Sequence, residues 1–68
     1  MAEKEKTPGE RLRELRGSKS QITVANDIGV PQTVLSSWEN DERQPRDEKK
    51  KLIADYYGVT VGSIFFGE

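Results

Sequence analysis

Short apolar clusters recur along the chain at helical spacings, each followed by a glycine or a polar break. Leu12 and Leu15 mark one narrow stripe. Ahead of them Thr7-Pro8-Gly9-Glu10 supplies a capping threonine, a proline suited to a first helical position, and a glutamate that completes a capping box. The pattern predicts a first helix over 8–16, stopped by Gly17 and Ser18. Ser20 can cap a second helix carrying Ile22, Val24, Ala25 and Ile28, with Gly29 in the usual C-cap place. Val30-Pro31 turns the chain, and Val34, Leu35 and Trp38 form the i, i+1, i+4 face of a third helix that stops near Asn40. From Glu39 to Lys51 only Pro45 is apolar, which predicts a solvated loop and helix start that add nothing to the core. Leu52, Ile53, Ala54, Tyr56 and Tyr57 then read as the second half of a fourth helix. Asp47 and Glu48 lie at its positive end, and Gly58 follows it. Thr60 can cap a last helix holding Val61, Ile64 and Phe65. No stretch alternates like a strand, repeats or is of low complexity, so the chain reads as all-α, with five short helices after a flexible tail at 1–6.

Composition narrows the chemistry. Sixty-eight residues make one domain, here at 7–68, and 32% apolar against 34% charged residues means a thin core under a solvated surface. With neither cysteine nor histidine, disulfides, Cys/His metal sites, thiol nucleophiles and imidazole bases are excluded. Asp41 and Glu42, like Asp47 and Glu48, are neighbours that diverge on a helix, and no glycine-rich phosphate loop or nucleophile–base pair is visible. An enzyme is therefore the poorest reading, and no metal or cofactor is expected. The opening MAEKEK lacks an apolar segment, and no run approaches the roughly 20 apolar residues that span a bilayer. A cytoplasmic chain without a membrane partner is the expectation.

A net charge of −1 argues by itself against nucleic acid, but its distribution is uneven. Six basic and four acidic residues fall in 1–20, and five basic and four acidic in 41–51, whereas 21–40 holds only Asp27 and Glu39. Positive charge thus clusters in two segments flanking the second and third helices.

The stretch between them, Gln21 to Asn40, has the stereochemistry of a helix-turn-helix. Val24, Ile28 and Val30 point inward, Ala25 is small where two helices approach, Gly29 takes a turn position that needs a positive φ, and Leu35 and Trp38 anchor the second helix. In this motif the chain resembles the lambda-repressor-like family of Cro/CI or XRE-type regulators. The likeness runs over roughly residues 8–67, through Trp38-Glu39-Asn40, Arg43, Pro45, Gly58-Val59-Thr60 and Phe66-Gly67. It implies a compact bundle of five short helices and a sequence-specific regulator binding double-stranded DNA. The simplest such protein is a bacterial or phage repressor acting on nucleoid DNA.

The resemblance also implies roles. Helix three would lie in the major groove with Gln32, Thr33 and Ser36 at base edges and Ser37 at the margin. Glutamine can bond adenine bidentately and threonine offers a methyl to thymine, so A·T-containing half-sites are favoured. Gln21, at a helix N-terminus, would meet a phosphate, as would Asn40 and Arg43 on the other flank, with Arg46 and Lys19 as additions. Arg16 and Glu39 would form an ion pair that orients the motif. A palindromic operator implies a homodimer on DNA, with Phe66 as a contact, and such regulators can meet a protein antagonist. Three departures stand out: a short link from helix one to Gln21, Ser37 where many relatives are basic, and Asp47 and Lys50 at positions usually apolar. The last of these predicts a loosely packed first turn of helix four.

Plainer readings stand beside these. Gln32, Thr33, Ser36 and Ser37 can be solvated surface, Gln21 a helix start, and Arg43 and Arg46 surface partners of Asp41, Glu42 and Asp47. Trp38 reads as core rather than a stacking platform, and Lys49-Lys50-Lys51 as solvation rather than a targeting patch. A different class of function also fits the acidic balance: the same fold as a protein-interaction module, an antitoxin or antirepressor partner with weak DNA binding.

Overall fold

The computed structural model describes residues 6–67, so most of the proposed tail lies outside the described residues. Five helices follow one another: α1 Pro8–Arg16, α2 Gln21–Ile28, α3 Gln32–Glu39, α4 Asp47–Tyr57 and α5 Val61–Phe65. Each starts and stops for local reasons. The Thr7 hydroxyl accepts from the Glu10 amide while the Glu10 carboxylate accepts from the Thr7 amide, 2.8 Å, closing the capping box. Ser20 and Thr60 cap α2 and α5 in the simpler way, accepting from the amides of Thr23 and Ser63. Gly29, at φ 92, ends α2 in the left-handed conformation, and both its amide and that of Val30 fold back on the Ala25 carbonyl. That turn aims α3 across α2.

Among the described residues nine side chains make the core: Leu12, Val24, Ala25, Ile28, Leu35, Trp38, Ile53, Ala54 and Ile64. Val30, Val34, Tyr56, Tyr57, Val59, Val61 and Phe65 pack around them. α1 lies against α3 and α5, α2 bridges α3 and α4, and α4 packs on α5. Among the described residues no helix is long and apolar enough to cross a membrane.

The structure corrects the sequence reading at three places. Leu15 is 37% exposed while Leu12 is buried, because the inward line of α1 runs Gly9–Leu12 and leaves Leu15 at its edge. The polar stretch from Glu39 to Lys51 does contribute to the interior, through buried Pro45 and a Glu39 only 1% exposed. The first turn of α4 is not loose around Lys50. Its side chain is 15% exposed, its Nζ lies 5.4 and 5.3 Å from the ring centres of Phe65 and Phe66, and it sits 4.0 Å from Asp47 Oδ1. A lysine stem with a charged tip over two rings does there what an apolar residue would do.

Gly9 is where α1 and α3 come closest. A Cβ there would collide with the Glu39 carbonyl oxygen and come within 2.8 Å of Asp41 Oδ2. Asp41, just past α3 at φ 59, turns its carboxylate back to accept from the Gly9 amide, 2.9 Å, and from the Thr7 hydroxyl. From the same part of α1, Arg11 Nη1 donates to the Ile64 carbonyl, 2.8 Å, and so ties α1 to α5. Gly9→Ala is therefore expected to separate α1 from α3 and cost about 1–3 kcal/mol, read as a lower urea midpoint with an unchanged slope.

The Tyr57 hydroxyl is buried with no hydrogen-bond partner among the described residues. Burial pushes its pKa up from 10.0 to about 12, and the negative charge of Glu39 adds to the shift. Its ionisation is thus suppressed in the folded state, so stability is unaffected below pH 10 and falls as pH rises from 10 towards 12. Tyr57→Phe deletes an orphan donor at nearly constant shape and should leave neutral-pH stability unchanged or slightly higher. Its alkaline loss of stability should be shallower than that of the wild-type chain, a comparison made by urea denaturation across that pH range.

Candidate nucleic-acid interface

α2 and α3 pack together, and their first residues, Gln21 and Gln32, are within hydrogen-bond distance of each other. α3 begins directly after Pro31, without a side-chain cap, and its first turn buries Leu35 while its first two side chains face outward. Gln32 and Thr33 are exposed, while Ser36 and Ser37, a turn further on, are half-buried. The Ser37 hydroxyl donates to the Thr33 carbonyl, 3.0 Å, which spends its proton within the helix.

Behind this face runs a chain of polar contacts. Glu39, the last residue of α3, has no exposed side-chain surface, and its Oε2 accepts from Arg16 Nε at 2.7 Å. Its Oε1 takes Arg16 Nη2 and Gln21 Nε2, both at 2.9 Å. Gln21 Oε1 then accepts from Gln32 Nε2 at 3.1 Å. α1, α2 and both ends of α3 are thereby joined through four side chains. The hydrogen bonding of Arg16 to Glu39 holds the guanidinium pKa above its ordinary value, against the effect of burial. Arg16 also donates to the Lys19 carbonyl, 2.8 Å, which ties down the short link between α1 and α2.

Other candidate residues are placed less uniformly. The Asn40 side-chain carbonyl accepts from Arg13, and its amide reaches Ser36 Oγ at 3.4 Å. Arg43 and Arg46 are exposed and make no ion pair among the described residues, since Asp41 serves α1 and Asp47 faces Lys50. Lys19 turns elsewhere. Its Nζ reaches the Tyr56 hydroxyl, 3.2 Å, which itself donates to Asp27 at 2.6 Å. Phe66 stands 66% exposed at the end of α5. Sequence reasoning did not find Arg13, the cap formed by Asp41, or the hydrogen bond that the Gln21 side-chain amide donates to Glu39. Each joins residues 18 to 34 positions apart that carry no local pattern. The described residues contain no pocket and no cluster of three potential metal ligands.

The helix-turn-helix family matches residues 10–64, most of the chain and all of the contacts between α2 and α3. The chain belongs to the lambda-repressor-like helix-turn-helix family. That family consists of DNA-binding transcription regulators. A relative from Enterococcus faecalis, the HTH-type transcriptional activator BcrR, is 33% identical over 61 residues. The match covers 87% of this chain and 30% of that protein, so the chain spans under a third of the relative's length. No solved structure matches. The two helices of this helix-turn-helix are α2 and α3.

The Arg16–Glu39 pair makes an asymmetric prediction. Arg16→Met strands a fully buried carboxylate and should cost about 3 kcal/mol. Replacing both partners, as in Arg16→Met with Glu39→Leu, should recover most of that loss, because no unpaired charge is left inside. Urea denaturation of the two variants beside the wild-type chain measures both.

Proposed function

We propose that this domain is a sequence-specific regulator of transcription that binds double-stranded DNA with α3 in the major groove. The observation that carries the reading is the coupled pair Gln21–Gln32 at the joined N-termini of α2 and α3. With one N–H given to Gln21, Gln32 keeps a carbonyl and a second N–H, the pair a bidentate adenine contact needs. Gln21, with one N–H given to Glu39, keeps a second for a phosphate oxygen at the positive end of α2.

Thr33 and Ser36 are assigned to neighbouring base edges, with Ser37 at the margin because its proton is engaged. Asn40, Arg43 and Arg46 are assigned to the flanking backbone, and the exposure of both arginines supports this. Lys19, turned to Tyr56, fits that role least. Two copies on a palindromic operator, meeting at Phe66, account for the exposed aromatic ring. The regulator acts most simply as a repressor that occludes a promoter, and it is open to a protein antagonist. The name of the Enterococcus faecalis relative favours a second reading, in which the bound domain raises transcription.

Selection from randomised duplex DNA at about 100 mM salt should enrich an inverted repeat. Gln32→Ala should erase the preference at one base pair of each half-site. Arg43→Ala should weaken all sequences alike and lower the salt slope by about 1 per half-site. A promoter carrying the enriched site separates repression from activation by the direction of its response. A folded chain that enriches nothing would instead move the assignment to a protein-interaction module.

A further inference from the structure

The buried carboxylate of Glu39 constrains more than the angle between helices. Paired with a guanidinium, it can accept hydrogen bonds and cannot donate them. Gln21, whose amide meets it at 2.9 Å, must therefore present its nitrogen, which turns its carbonyl oxygen the other way. That oxygen is also only an acceptor, so Gln32 must answer with its own nitrogen, as it does at 3.1 Å. An isolated glutamine amide can turn over at almost no cost, because its two ends differ little in size. Here a one-way sequence of donors and acceptors, begun at Glu39, forbids the turned form by setting oxygen against oxygen. The edge left to Gln32 is one carbonyl and one N–H in fixed order. Adenine, with a donor at N6 and an acceptor at N7, answers that order, whereas guanine offers acceptors at both positions.

We infer that Glu39 is a positioning residue for base specificity: it fixes the polarity of Gln21 and, through it, of Gln32, and so biases the base that Gln32 reads toward adenine. Glu39 has no exposed side-chain surface to offer DNA, so beyond its grip on Arg16 and the helix arrangement its influence reaches Gln32 through the two amides. The inference rests on the assignment of Gln32 as a base reader made above.

Two experiments test it on the whole chain. In the free protein, the side-chain amide resonances of Gln21 and Gln32 are compared between wild type and the Arg16→Met, Glu39→Leu double variant, which retains no carboxylate. Both pairs are expected to move, although Gln32 makes no hydrogen bond to residue 39. A response confined to Gln21 overturns the relay. In site selection, the adenine preference at the base pair identified by Gln32→Ala is on the order of tenfold for a bidentate contact. It should fall to within about twofold in the double variant, while preferences at other positions persist. Arg16→Lys, which keeps an accepting carboxylate, should retain the adenine preference. If the double variant instead weakens all sequences uniformly with that preference intact, Glu39 is structural only and the inference fails. A wild-type chain that enriches no sequence overturns the base-reading assignment, and the DNA half of this inference with it. The amide spectra decide the relay independently.

Discussion

A carboxylate with no exposed surface sits where α1, α2 and α3 converge, and the arrangement of those helices follows from satisfying it. Removing a charge from water costs several kcal/mol unless partners replace the lost solvent. Glu39 obtains three donors from two directions, two from the Arg16 guanidinium and one from the Gln21 amide. Those bonds require the end of α1 and the start of α2 to lie within reach of the last turn of α3. An apolar triplet would hold the helices together as well, but without directional bonds between them. Satisfying a fork-shaped cation and a planar carboxylate fixes distance and angle together.

The same logic extends along α1. Its Gly9 amide is held by Asp41, Arg13 reaches Asn40, and Arg16 holds Glu39, so successive turns of α1 grip the C-terminal end of α3. Gly9 lets the backbones approach until the Glu39 carbonyl touches the first turn of α1. α3 is therefore clamped at its end and bare at its beginning, where Gln32 and Thr33 project. Nine core residues are few for a domain of this size, and polar brackets supply the definition that a larger core would give. Recognition of base edges needs a helix that is rigidly oriented yet exposed, and this division provides both.

The helices were legible because their signals are local. Thr7, Ser20 and Thr60 cap within three residues, and Gly29 and Gly58 end helices at positive φ, so spacing alone identifies all five helices. What spacing could not show depends on distant partners. Leu15 has the right period but the wrong side of α1, and Glu39 and Pro45 sit in a polar run that gives no hint of burial. Asp41 looks like surface acid until the fold brings Thr7 and Gly9 to it from more than thirty positions away. The outward residues of α3 were named from the motif. The contact from Gln21 to Gln32 joins two helices across the turn and becomes visible only when the turn is built.

Charge completes the argument about how such a domain can bind DNA at a net charge of −1. Much of its positive charge is occupied internally: Arg11 caps α5, Arg13 and Arg16 clamp α3, Lys19 meets Tyr56, and Lys50 lies over Phe65 and Phe66. Arg43 and Arg46 remain outside, beside the end of α3. On the proposed reading, few phosphates are neutralised per copy, so sequence-independent affinity is small and its salt dependence shallow. The free energy of binding must then come mainly from base contacts, whose value depends on how well the reading side chains are held before DNA arrives. On the same proposed reading, a second copy doubles those contacts on one operator. A weakly charged reader gains most from a preorganised Gln32. On the proposed reading, the partly buried chain from Arg16 through Glu39 and Gln21 supplies that order at the expense of a carboxylate withdrawn from the surface and a guanidinium largely so.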